Sequence, residues 1–98
     1  MEAEEKVRVM REFYTNFMEE TLRAVFQNDK KAKVAYNAAT AARREEIDGE
    51  IRKQAREIGS EIVEGLREAG FPSGDPSPED IRKVVKKVLK ERGVNTAE

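Results

Sequence analysis

The 98-residue chain contains no cysteine, no histidine and no tryptophan. Without cysteine there can be no disulfide, no thiolate nucleophile and no thiolate-bound metal. Without histidine the chain lacks the commonest general base and the commonest metal ligand. No apolar run is long enough to cross a bilayer as a helix. Nor does one sign of charge prevail: 19 basic and 20 acidic residues leave a net charge of −1. That balance creates no field to draw nucleic acid or an anionic membrane. The opening Met1-Glu2-Ala3-Glu4-Glu5 is acidic, unlike a secretory or mitochondrial targeting segment, so a cytoplasmic or recombinant setting is expected.

What is present is helical in pattern. Apolar residues make up 38% and charged residues 40%, but the near-zero net charge and clear apolar periodicity argue against disorder. One helical domain covering residues 1–98 is expected. In the first segment, about 3–27, Val7, Met10, Phe13, Tyr14, Phe17, Leu22, Val25 and Phe26 recur at helical spacing. Asn28 and Asp29 punctuate it, and Asp29 can cap the next helix. The second segment, 30–69, opens with alanines and continues through Ile47, Ile51, Ala55, Ile58, Ile62 and Leu66. Gly70 to Ser77 reads as a loop. Ser77 and Pro78 then start a last helix, about 78–92, that buries Ile81, Val84, Val85, Val88 and Leu89. Gly93 ends it, and Val94 to Glu98 is expected to fray.

The fold expected is an all-α antiparallel bundle of three helices with a long middle helix. The alternative is a four-helix up-down bundle with a break near Asp48-Gly49. A short turn at Asn28-Asp29 would pair Val25 with Val34, Thr21 with Asn37, Phe17 with Thr40 or Ala41, and Met10 with Ile47. Across the second loop, Ile81 would lie near Leu66, Val85 near Ile62 and Val88 near Ile58. A continuous middle helix would be covered by the first helix along its N-terminal part and by the last along its C-terminal part. The core would then be thin, and pairing with a second copy would cover more of it.

No constellation points to catalysis, a metal or a cofactor, and the expectation is a non-enzymatic chain. A carboxylate metal site in a bundle usually needs an inward Glu-x-x-His, which cannot occur here. Two groups of residues stand out. Tyr14, Phe17, Thr21, Asn37 and Thr40 would lean inward in the first hairpin. They could set register through buried hydrogen bonds or line a small-molecule pocket beside Phe13. Gly49, Ala55, Gly59, Ser60 and Gly65 form a line of small residues. Glycine inside a helix costs about 1 kcal/mol relative to alanine, which calls for a reason such as close approach of another backbone.

The run Ile51-x-x-x-Ala55-x-x-Ile58-Gly59-Ser60-Glu61-Ile62 resembles the groove-binding death-motif helix of apoptosis regulators. That resemblance implies a partner-binding surface on Ile51, Ala55, Ile58, Gly59 and Ile62. Ala55 stands where the family has a leucine anchor, and Ser60 where it has an aspartate. Ser60 to Pro76 resembles the first helix and following loop of KIX coactivator domains, a shared way of leaving a helix in which Phe71 tucks onto the core. As a whole the chain resembles de novo designed helical bundles in style, through its Glu/Lys/Arg-dense surface and its Ser-Pro-Glu-Asp helix start. Gly59, Gly65, Asn16 and Asn37 depart from that style. The function expected is a helical scaffold or a protein-binding, self-associating module, with a homodimer among the outcomes. Small-molecule binding is the alternative.

Overall fold

The computed structural model describes residues 2–94, and among these every regular element is a helix. Helix α1 spans Ala3–Asn28, α2 Lys30–Ala38, α3 Ala41–Glu68 and α4 Pro78–Glu91. Residues 95–98 of the expected tail lie outside the described residues.

The caps follow from the local sequence. Asp29 Oδ1 accepts from the backbone N–H groups of Lys31 and Ala32 at 3.0 and 3.3 Å. Ser77 Oγ accepts from Asp80 N–H at 3.2 Å, with Pro78 in the first turn. These side chains satisfy donors that the first helical turn leaves without partners. At the end of α3, Gly70 takes φ 110°. This lets Phe71 N–H and Gly70 N–H reach back to the carbonyls of Leu66 and Arg67. The same reversal ends α4, where Gly93 has φ 69° and Val94 N–H bonds to Leu89 O at 2.9 Å. Val94, expected to fray, instead packs against the core.

The middle segment differs from expectation in where it is interrupted. Asp48 and Gly49 are helical, and the chain leaves helical geometry at Ala39 and Thr40. Two local interactions favour this site. Thr40 Oγ1 accepts from Arg43 N–H at 3.2 Å, capping α3. Arg44 then reaches back, donating to the carbonyls of Tyr36 at 3.0 Å and Asn37 at 2.7 Å in the last turn of α2, where Tyr36 O also accepts from Ala39 N–H at 3.1 Å. No comparable cap lies after Gly49. Whether the fold counts as three helices or four depends on the weight given to this two-residue interruption.

The interruption changes the register of all later residues. Helix α2 is set off at one end and buries no residue, while α3 runs antiparallel along α1. Arg23 lies beside Asp48, Glu19 beside Arg52, and Thr15 against Gly59. The expected pairing of Met10 with Ile47 is therefore replaced, and Met10 faces Phe71 and Ile81. Helix α4 returns antiparallel to α3 near its expected register, with Val84 on Gly65.

The core sits where α3 is flanked on both sides. Tyr14 and Met18 come from α1, Ala55, Ile58, Ile62, Val63 and Leu66 from α3, and Val88 and Leu89 from α4, with Phe71 closing the end. The C-terminal half of α3 is thus doubly covered, contrary to the expected arrangement. Its N-terminal half contributes no buried residue before Ala55. The Cα positions span 48 × 28 × 16 Å, and the short dimension is about the width of two packed helices. The radius of gyration is 15.3 Å, against about 13 Å for a compact domain of this length.

Candidate interaction surface

Helix α1 carries two apolar stripes that the sequence merges into one. Val7, Tyr14, Met18 and Leu22 face α3 and the core, with Met18 fully buried. Val9, Phe13 and Phe17, four residues apart, form a second stripe turned away from α3. They are 47%, 58% and 43% exposed. The Phe13 and Phe17 rings meet the buried Tyr14 ring edge-on, at centroid distances of 5.1 and 6.3 Å. Such edge contacts add modestly to what the rings gain by burial. Burial also pushes the Tyr14 phenol above its ordinary pKa.

Beside this stripe lies an apolar groove of about 600 Å³ between α1 and the loop that leads into α4. Val9, Met10, Phe13 and Tyr14 form one wall, and Phe71 and Ile81 the other. Lys6 and Asp75 stand at its rim. Among the described residues no further long helix lies beyond α1, α3 and α4.

A second, more polar cavity of about 330 Å³ lies at the corner where α1, α2 and α3 meet. Asp48 organises it, accepting from Tyr36 O–H at 3.2 Å and from Arg23 Nη1 at 3.3 Å. Glu19 and then Asp48 hold the Arg23 guanidinium above its ordinary pKa through hydrogen bonds. The Tyr36 ring meets Phe26 edge-on at 5.8 Å and carries the Arg44 guanidinium 5.5 Å from its centroid. These contacts join the exposed α2 to the rest of the chain.

The five residues considered for a small-molecule pocket are dispersed. Tyr14 is in the core, with Phe17 beside it at the surface. Thr21 Oγ1 donates to Phe17 O at 2.9 Å on its own helix. Asn37 lines the corner cavity, and Thr40 caps α3. The five residues considered for partner binding are mostly occupied inside the chain. Ala55, Ile58, Gly59 and Ile62 are buried under α1, while Ile51 is half-buried at the corner cavity. The four buried residues offer no free surface in this fold. The line of small residues has an internal cause at two positions. A Cβ on Gly59 would stand 2.8 Å from the Thr15 backbone nitrogen, and one on Gly65 2.6 Å from Val84 Cγ1. At Gly49 nothing lies within 4 Å.

Sequence reading missed Val9 and Met18. The signal was the four-residue spacing of Val9, Phe13 and Phe17, parallel to the spacing of Tyr14, Met18 and Leu22. Among the described residues, no group of acidic side chains is placed to hold a metal, and no helix is long and apolar enough to cross a membrane. No protein-family model matches the chain, and no curated protein or solved structure matches it either.

Proposed function

We propose that this chain is a non-enzymatic helical interaction module that receives an amphipathic protein helix on the outward face of α1. The supporting observation is the row Val9, Phe13 and Phe17, exposed beside the apolar groove that ends at Phe71 and Ile81. A helix offering residues at matching spacing would cover the row and fill the groove, and the polar ends of both would stay in water. Phe13 is the natural anchor, because aromatic side chains at the centre of a patch contribute most to binding. The lack of histidine and cysteine favours binding over catalysis. The capped, charge-patterned α4 agrees with a designed scaffold as the origin of the chain. The dispersed Tyr14, Thr21, Asn37 and Thr40 give the small-molecule alternative less support.

Selection of displayed peptides on the immobilised chain tests the reading. Amphipathic helical peptides should be recovered. Their binding should be lost in Phe13→Asp and retained in Val34→Asp, a substitution on the remote, exposed α2. Peptide binding that survives Phe13→Asp would overturn the reading.

A further inference from the structure

Building on that interaction face, we infer that its partner is a second copy of this chain, with the two α1 helices packed antiparallel about a two-fold axis through Phe13. The face has the symmetry such a pairing needs. Lys6, Val9, Phe13, Phe17 and Glu20 succeed one another at steps of three, four, four and three residues. Read from either end the spacing is the same, and the two ends carry opposite charge. In an antiparallel pair centred on Phe13, Val9 of each copy meets Phe17 of the other, and Lys6 meets Glu20. A two-fold interface uses one self-complementary patch twice, so both apolar contacts and both ion pairs form together.

Charge also selects the orientation. A parallel pair would set Lys6 against Lys6 and Glu20 against Glu20, and like charges at such positions repel. Within the chain, neither residue takes part in any ion pair found among the described residues. Both remain available for a partner.

The elongated chain as a whole leaves surface to spare for such a contact. The accessible surface is 7265 Å², whereas a compact monomer of this mass exposes about 5,700 Å². The excess exceeds the roughly 800 Å² that each partner of a standard interface covers. Helix α1 is long enough for the contact, since Lys6 to Glu20 spans about 21 Å at 1.5 Å per residue.

Sedimentation of charge-reversal variants tests the arrangement. The unmodified chain should form dimers. Lys6→Glu alone and Glu20→Lys alone should each weaken dimerisation about ten-fold or more, because each turns two attractions into two repulsions. An equimolar mixture of the two single variants should dimerise again, as should the double variant Lys6→Glu/Glu20→Lys. Recovery in the mixture would also show that both single variants remain folded. Undiminished dimerisation of the single variants would overturn the arrangement. That result is what a parallel pair would give, since Lys6→Glu there only exchanges one like-charge contact for another. A mixture that fails to recover would overturn the arrangement as well. An unmodified chain that stays monomeric while Phe13-dependent peptides bind it would overturn self-pairing alone. A monomer that binds no such peptide would overturn the interaction module as well.

Discussion

Replacing Gly59 by alanine separates close helix packing from simple helix propensity. In an exposed helix interior the change stabilises by about 1 kcal/mol, because alanine restricts the unfolded chain and favours helix. Gly59, however, is buried, and its added Cβ would stand 2.8 Å from Thr15 N, 3.0 Å from Thr15 Oγ1 and 3.1 Å from Thr15 Cα. Two of these are backbone atoms, so no rotamer change relieves the contact. Helices α1 and α3 would have to separate by several tenths of an ångström. A shift of this order forfeits about a quarter or more of the dispersion attraction across the contact. Overpacking of this kind costs about 1–3 kcal/mol. The propensity gain of about 1 kcal/mol offsets part of that, leaving a net loss of up to about 2 kcal/mol. For a domain of this length, each 1 kcal/mol lowers Tm by about 4–8 °C. Gly49→Ala is the matched control, since nothing lies within 4 Å of its added Cβ. It should raise Tm by a few degrees. Thermal unfolding monitored by circular dichroism, at a concentration low enough to hold the chain monomeric, measures both. A Gly59→Ala variant as stabilised as Gly49→Ala would refute the contact between Thr15 and Gly59.

Asp48→Ala removes the acceptor shared by Tyr36 and Arg23. Its global cost should be about 1 kcal/mol, but hydrogen exchange should show marked loss of protection within α2; unchanged protection there would contradict the corner network. Acidification should weaken the α3–α4 contact. Hydrogen bonds from Arg92, whose Nε lies 3.0 and 3.1 Å from the two carboxyl oxygens, hold Glu61 below its ordinary value of 4.5. A depressed carboxyl stabilises fully above 4.5, and the contribution is lost as pH falls through the lower folded value. Tm of the unmodified chain should therefore fall across that window, and Glu61→Gln should lack this part of the fall; identical profiles would refute the assignment. Phe13→Ser should cost the monomer about 1 kcal/mol at most, through its edge contact with Tyr14. A loss of several kcal/mol in denaturant unfolding would mean that Phe13 belongs to the core.

Much of the helical frame was legible in the sequence because its signals are local. Asp29, Ser77-Pro78, Gly70 and Gly93 act on the turn beside them, and each ends or starts a helix where its chemistry implies. The KIX-like exit read at Phe71 is a Gly70 reversal with Phe71 packed on the core. The interruption at Ala39-Thr40 was harder to see, because Arg44 stabilises it from outside α2 and Thr40 alone is a modest cap. That one displacement set most of α1 against α3 and shifted the register there, so that Arg23 lies beside Asp48 and Thr15 against Gly59. Periodicity shows that a stripe exists, but not which of two neighbouring stripes faces inward. Val9, Phe13 and Phe17 look like core by composition, and only the position of α3 turns them outward. The small-residue line shows the converse: Gly59 looked available to a partner, yet Thr15 already occupies its space.

The claim that α1 presents a self-complementary face is tested most directly by sedimentation equilibrium of the unmodified chain from about 1 μM to about 1 mM, where interfaces of ordinary affinity become populated. The expected result is a mass that rises from 11.2 kDa toward twice that value, together with a Phe13→Ser variant that stays monomeric over the same range. A mass of 11.2 kDa throughout, or dimers unaffected by Phe13→Ser, would contradict it.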